Sequence, residues 1–348
     1  MRFAALTLSV LGGAATYLTF AQQRGSEPIN GNWAVHLSDT AGKLQLLLER
    51  TTDKHRMSHS NSDVPSSQFV GLSADQLNST TGSVVKFQIS REAGVLECEG
   101  YVKSGGGGGV FHFMANLNYI AAMNALGYRE IDNEKTFALS LHDVTTTFVR
   151  DMHALGYTGA TFDQVLAMRI DGVSPEFVRE TRALGLNTNS IDQLIAMRIH
   201  GVTPAFVREM KAQGFDVNSI DRLVAFRIHG VTPEFVQQVH GLGFPKATAD
   251  ELVAMRIHGV TPEFIRDTKA QGFDANSIDK LVAFRIHGVT PEFVKQVRGL
   301  GFPKVTGDQL VAMRIHGVTP EFIQKMSSRG MNLSVDQLVS LKIHGIAN

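Results

Sequence analysis

The chain has 348 residues, of which 43% are hydrophobic and 19% are charged, and these fractions are those of an ordinary folded protein, not a disordered one. Its 33 basic residues balance its 33 acidic residues, so no bulk charge draws it to nucleic acid. The single cysteine, Cys98, leaves no partner for an internal disulfide.

Residues 1–21 have the pattern of a secretory signal peptide. Arg2 precedes an apolar run from Phe3 to Phe20, and Thr19 and Ala21 are small residues at the positions that signal peptidase reads. Because the run approaches the length that crosses a bilayer, a single N-terminal membrane anchor is the alternative. Cleavage would leave a linker at 22–28, no stable membrane span, and a periplasmic or secreted protein.

Residues 29–114 alternate between apolar and polar side chains, which is typical of strands with one buried face. The apolar positions that share a face are Trp33, Val35 and Leu37; Leu44, Leu46 and Leu48; Val85, Phe87 and Ile89; and Phe111 and Phe113. Five or six such runs predict a small antiparallel β barrel or sandwich. Cys98 is in phase with Leu96 and Val102, which predicts a buried, inert thiol on a strand.

Three connections are predicted in this β region. "REAG" at 91–94 is expected to be a hairpin turn, and the Ser- and Asn-rich segment 55–67 a loop or an edge strand. The run Gly105–Gly109 is followed by a strand pattern and contains no closing lysine, unlike a phosphate-binding loop. We therefore predict a flexible hairpin tip for these glycines.

Residues 115–348 consist of repeats of 29 residues. The phrase "MRIHGVTPEF", or a close variant, begins at Met168, Met197, Phe226, Met255, Phe284 and Met313. "LKIHGI" follows at Leu341 after 28 residues, and "LSLHDV" at Leu139 is a decayed earlier copy. A fixed period of this size predicts an α-solenoid.

Each repeat carries its own signals for two short helices. In one copy Ser190 is the expected N-cap of the first helix, and Gly201 its left-handed end. Thr203 and Pro204 begin the second helix, which should end at Gly214. The predicted fold class is therefore α+β: a small antiparallel β domain followed by an α-solenoid of helix-turn-helix repeats.

The first helix of each repeat is apolar nearly all round. In the copy after Ser190 the apolar residues are Ile191, Leu194, Ile195, Met197 and Ile199. We expect neighbouring repeats to cover such a helix on more than one side, because helices of about ten residues are marginal in water.

A histidine stands at the end of the first helix in most copies. These residues are His142, His200, His229, His258, His287, His316 and His344. A histidine there complements the helix dipole and can bond free carbonyl groups. It could also sense pH, since His200, His229, His258, His287 and His316 would charge together below about pH 6.5. No metal site is predicted, because histidines one repeat apart would lie ~10 Å from each other.

A row of arginines runs through the same helix, at Arg169, Arg198, Arg227, Arg256, Arg285 and Arg314, and continues as Lys342. Aspartates occupy the first turn of that helix, at Asp163, Asp192, Asp221, Asp250, Asp279, Asp308 and Asp336. Within one helix the two rows point about 120° apart, so they are expected to pair between neighbouring repeats. Alternatively, the six arginines form a surface for a carboxylate-bearing partner.

The stretch "ADELVAMRIHGVTPEFIRDTKAQGF" resembles helical repeats of exported or membrane-linked bacterial proteins. These include the tails of zinc metallopeptidases of the beta-lactam-sensor type. The resemblance covers roughly residues 115–348 and implies a bacterial envelope protein with a sensing or partner-binding module. The chain lacks the His-Glu-x-x-His of the peptidases, so no catalytic residue is carried over.

No sequence motif for catalysis, nucleotide binding or calcium binding occurs, so neither an enzyme nor a cofactor is predicted. We expect an exported binding or scaffold protein whose solenoid surface contacts another protein or an envelope component. A pH- or ligand-sensing module, using the histidines or a cavity of the β domain, is the alternative. A hydrolase with its site in the β domain is a third hypothesis.

Overall fold

The computed structural model describes residues 29–51, 56–216, 218–273 and 277–345. The chain divides into two compact units, Met1–Asp143 and Val144–Asn348. The predicted signal peptide (1–21) and linker (22–28) lie outside the described residues. No helix in the described ranges is both long enough and apolar enough to cross a membrane.

The first unit is built on one antiparallel sheet of six strands. The strands are β1 (Ile29–Leu37), β2 (Lys43–Thr51), β3 (Arg56–Pro65), β4 (Ser83–Arg91), β5 (Gly94–Lys103) and β6 (Gly106–Ala115). Their order across the sheet is β3-β2-β1-β6-β5-β4, and the sheet curls into a half-barrel with β3 and β4 as its edges. The predicted α+β class is therefore confirmed, with an open half-barrel in place of a closed barrel or a sandwich.

Two of the predicted connections have their expected form. Strands β4 and β5 pair from Arg91↔Gly94 onward, so "REAG" is the tight hairpin turn. Strand β3, Arg56–Pro65, lies at one edge of the sheet, inside the segment expected to be a loop or an edge strand.

The glycine run differs from its prediction. Gly106–Gly109 lie within strand β6 between β1 and β5, and only Ser104 and Gly105 form the hairpin tip. The reason is the close approach of β5: a Cβ on Gly107 would collide with the Tyr101 carbonyl oxygen, and a Cβ on Gly109 would collide with the Glu99 carbonyl oxygen. Glycine at these positions leaves room for the backbone of the neighbouring strand.

Three helices accompany the sheet, namely α1 (Ala74–Asn78), α2 (Leu117–Ala125) and α3 (Asn133–Leu141). Helix α3 packs on the sheet through Phe137, which belongs to the buried core and stacks on Phe111 at 5.8 Å between ring centroids. The guanidinium of Arg50 on β2 donates to both carboxylate oxygens of Glu134 on α3, at 2.5 and 2.8 Å. The first unit therefore extends to Asp143, beyond the expected domain boundary at 114/115.

The second unit is a run of short helices in the predicted 29-residue register. They are α4 (Thr146–Ala154), α5 (Phe162–Ile170), α6 (Pro175–Ala183), α7 (Ile191–Ile199), α8 (Pro204–Ala212), α9 (Ile220–His229), α10 (Pro233–Gly241), α11 (Ala249–Ile257), α12 (Pro262–Ala270), α13 (Ile278–Ile286), α14 (Pro291–Gly299), α15 (Gly307–Ile315), α16 (Pro320–Ser328) and α17 (Val335–Ile343). Helices α2 and α3 of the first unit begin 29 residues before α4 and α5, so the repeat pattern starts there.

The predicted helix boundaries are confirmed in the copy around α7. The Ser190 hydroxyl accepts a hydrogen bond from the Gln193 amide at the start of α7. Gly201 takes a left-handed conformation, with φ of 69°, just after its end. Thr203 then caps α8, and Pro204 is its first residue. At the start of each of these helices a hydroxyl thus accepts from a backbone N–H that has no partner within the helix. At the end of α7 a glycine turns the chain.

The helices pack in two rows. The first helix of each repeat contacts the first helix of the next, from α5 through α7, α9, α11, α13 and α15 to α17. Second helices contact second helices in the same way, for example α6 with α8 and α8 with α10. Each repeat therefore buries its apolar side chains, such as Leu194, Met197 and Met210, against the repeats beside it.

We predict that Gly109→Ala destabilises the first unit by about 1–3 kcal/mol, because the added Cβ would collide with the Glu99 carbonyl oxygen. Urea unfolding followed by the fluorescence of Trp33, the sole tryptophan, would measure the change in that unit. The matched control is Gly108→Ala, where the nearest atom is one backbone oxygen at 3.0 Å. An equal loss in the two variants would contradict this account of the glycine strand.

Candidate binding surface of the repeats

The arginines of the first helices bond the end of the preceding first helix. The Nε of Arg227 donates to the carbonyl of His200, the C-cap residue of α7, at 3.3 Å. The same bond joins Arg198 to Asp171, Arg256 to His229, Arg285 to His258 and Arg314 to His287, at 3.2–3.4 Å. Each arginine thus donates to a carbonyl group at the end of the preceding first helix, where that helix offers the carbonyl no donor.

The same arginines lie over phenylalanine rings of the preceding second helix. The guanidinium carbon of Arg227 is 5.1 Å from the ring centroid of Phe206 on α8. Distances of 5.0–5.6 Å hold for the pairs Arg169–Phe148, Arg198–Phe177, Arg256–Phe235, Arg285–Phe264 and Arg314–Phe293. Each arginine from Arg198 to Arg314 therefore links both helices of one repeat to the first helix of the next, through a hydrogen bond and a cation–π contact.

A second set of basic residues does the same for the second helices. Arg182 Nη2 donates to the Leu155 carbonyl at the end of α4, at 2.8 Å, and Lys269 Nζ to the Leu242 carbonyl at the end of α10, at 2.5 Å. Arg298 bonds the Gln271 carbonyl at the end of α12. Basic side chains thus connect successive repeats along both rows of helices.

The aspartates do not have the role expected from the sequence. They lie exposed in the first turn of each first helix, and Asp221 accepts a hydrogen bond from Gln193 of the preceding repeat at 3.0 Å. The arginines from Arg198 to Arg314 are held by carbonyl groups and rings, not by these carboxylates. First-turn acids of this kind complement the positive end of the helix dipole.

The histidines lie at the ends of the first helices, as predicted: His229 is the last residue of α9, and the others from His200 to His344 are C-caps. Their side chains are exposed or half-exposed. In the last copy the His344 ring bonds the Ser340 carbonyl, Nδ1 to O at 2.8 Å, which is the capping contact expected from the sequence. Across the described residues, no group of three histidines, cysteines or acids converges as metal ligands would.

One row of residues on this surface was assigned wrongly from the sequence. The isoleucine between each arginine and histidine was expected to be buried with the rest of its helix, yet it is 53–61% exposed in every copy. This isoleucine row consists of Ile170, Ile199, Ile228, Ile257, Ile286, Ile315 and Ile343. The signal in the sequence was the identity of the residue at this position in copy after copy, because packing does not require an aliphatic side chain there.

Arginine, isoleucine and histidine are consecutive, so they span about 200° of each helix, with the isoleucine in the middle. From Ile199 to Ile315 the isoleucine row is therefore flanked on one side by arginines and on the other by histidines; Asp171 and Lys342 take these places beside Ile170 and Ile343. The aspartates lie six residues earlier, ~9 Å away along the helix axis. The last turns of the first helices together present an apolar row with a row of arginines along one side.

Glutamates follow the proline at the start of most second helices, at Glu176, Glu234, Glu263, Glu292 and Glu321, and all five are exposed. Hydrogen bonds from its own backbone N–H and from Thr232 hold the pKa of Glu234 below its usual range. These carboxylates interact with the N-terminus of their own helix, so they form a matched control row for the isoleucines.

In the first unit the only cysteine does not fit a catalytic role. Cys98 lies in the core of the sheet with 1% of its surface exposed, and burial raises the pKa of its thiol to about 12. At neutral pH it is a neutral thiol inside the protein, as the strand pattern predicted.

The chain matches no protein-family profile and no curated protein sequence.

We predict that Arg227→Met lowers the stability of the repeat unit by about 1 kcal/mol, because the hydrogen bond to His200 and the cation–π contact are both lost. Arg227→Lys should have a smaller effect, since it keeps the charge near the Phe206 ring but has no Nε. Urea unfolding followed by far-ultraviolet circular dichroism would measure these changes. Arg208, exposed on α8, gives the control Arg208→Met, and an equal loss there would contradict the assigned role.

We expect Cys98 to resist thiol reagents at pH 8 in the folded protein and to react with one equivalent after denaturation in urea, because only the exposed thiolate is nucleophilic. Titration with Ellman's reagent measures this. Rapid reaction of the folded protein would show that the thiol is accessible.

Proposed function

We propose that the chain is an exported, non-enzymatic binding protein of the bacterial envelope, and that its repeats hold a partner protein along the isoleucine row. The observation that carries the proposal is the exposure of this row. Single exposed apolar residues are common on protein surfaces and need no explanation. An exposed isoleucine at the same place in each repeat is a different case, because it recurs regularly along the whole repeat unit.

The residue type also supports a role in binding. Isoleucine is β-branched and a weaker helix former than alanine, leucine or lysine. At a position more than half exposed it buries little area in the folded chain, so folding and stacking would be served as well by a polar residue. Apolar side chains surrounded by polar groups are typical of protein interfaces.

Export is supported by the N-terminal pattern of residues 1–21, and the envelope setting by the resemblance of the repeats to those of exported bacterial proteins. Repeat arrays characteristically bind partners along an extended face to which many repeats contribute equivalent contacts. The partner on this proposal is a protein that contacts several isoleucines at once.

A photoreactive amino acid in place of Ile257 tests the proposal in the source cells. We expect illumination to give a discrete adduct of higher mass, because the partner lies against this position. The same amino acid in place of Glu263, exposed in the neighbouring glutamate row, is the control and should give none. No adduct at Ile257, or the same adduct at both positions, would contradict the proposal.

A further inference from the structure

The charge of the surface defines the chemistry of the partner. Each isoleucine from Ile199 to Ile315 has an arginine on one side and a histidine on the other, and the arginines Arg198, Arg227, Arg256, Arg285 and Arg314 are exposed. Their Nε atoms bond carbonyl groups, which leaves the terminal nitrogens of the guanidinium to bind an acceptor. Carboxylates are the groups that pair best with guanidinium.

The arginines are also fixed in position. A guanidinium held between a carbonyl oxygen and a phenylalanine ring has lost most of its rotamer freedom before any partner arrives. Such preorganised groups favour a partner whose acidic groups are themselves regularly spaced. A fluid lipid surface offers no such spacing, so a polypeptide fits this row better than a membrane does.

The spacing of the row restricts the conformation of that polypeptide. Successive first helices are in contact, and packed helices lie about 8–10 Å apart, so we expect side chains at equivalent positions, such as the isoleucines, to recur at about that interval. A polyproline II helix returns to the same face every third residue, ~9.3 Å along its axis. In a β-strand, side chains on the same face recur every ~6.7 Å. In an α-helix, the nearest comparable repeat on one face comes after two turns, ~10.8 Å.

We propose that the isoleucine row binds an extended acidic segment of the partner in the polyproline II conformation, with an apolar side chain at every third residue. This proposal rests on the proposed function and specifies the partner. The apolar side chains lie between the isoleucines of neighbouring repeats, and the acidic residues face the arginine row.

The test measures the binding of dye-labelled peptides to the full chain by fluorescence anisotropy. The probe is a peptide of six Pro-Glu-Leu triplets. We expect saturable binding that weakens as salt is added, because exposed charge pairs are screened. Three comparison peptides contain Pro-Lys-Leu triplets, the probe's residues in scrambled order, or an acidic helical sequence with leucine at every seventh position.

Each comparison peptide should bind at least ~10-fold more weakly than the probe. A tenfold change in Kd corresponds to the loss of about one buried apolar side chain. The variant with Ile199, Ile228, Ile257 and Ile286 all replaced by Ser should bind the probe more weakly than the wild type does, by a similar factor. The control variant, with Glu234, Glu263, Glu292 and Glu321 replaced by Gln, should bind the probe at least as tightly as the wild type does, because it keeps the isoleucines and loses only acidic side chains. Unchanged circular dichroism spectra would show that both variants fold.

Several outcomes would overturn the proposal and leave the proposed function standing. Equal binding of the helical or the lysine peptide would refute the conformation or the charge of the partner. Binding to anionic phospholipid vesicles that the isoleucine variant loses, without binding of the probe, would show that the row contacts a membrane. If the probe fails to bind while Ile257 still crosslinks to a protein in cells, the partner class is wrong and the proposed function holds.

Discussion

The carbonyl groups at the end of each helix are the constraint on which the repeats depend. A helix of nine residues leaves several of its last carbonyls without a partner inside the helix, and so short a helix is marginal in water. Here a basic side chain from the following repeat supplies the missing donor, as Arg227 does for His200. Each repeat is therefore completed by its neighbour in polar contacts as well as in apolar packing.

This arrangement also positions the surface that we propose as the binding site. The arginine that bonds the preceding helix lies over a phenylalanine ring, so its place relative to two repeats is fixed. The isoleucine beside it belongs to the same last turn and acquires the same fixed spacing. A contact that holds the stack together thus also sets the interval at which apolar side chains and cations are presented. On this proposal, stability and recognition use the same part of the repeat.

The helix boundaries could be predicted because their signals are local. Ser190, Gly201 and Pro204 act on the backbone within a few residues, and the structure has them in the predicted places. The role of Arg227 could not be predicted, because its partners lie 21 and 27 residues earlier and meet it only after the repeats stack. The aspartates were expected to be the partners of the arginines because they carry the opposite charge, but they lie at the other end of the helix.

Two wrong predictions have a common cause, since both inferred an environment from residue type. Ile199 was expected to be buried because it is apolar, although its position on the helix faces away from the neighbouring repeats. Gly109 was expected at a flexible tip because glycine is permissive, although it lies in a central strand. There a Cβ would meet the carbonyl oxygen of Glu99 on the neighbouring strand β5. Both outcomes depend on contacts between distant segments.

Amide hydrogen exchange, read repeat by repeat in wild type and in Arg227→Met, tests most directly whether the repeats are coupled through these capped carbonyls. The account predicts that protection falls most in α7 and α9, the two helices joined by this arginine, and progressively less in repeats farther away. A loss confined to α9, or one spread evenly over the whole repeat unit, would contradict it.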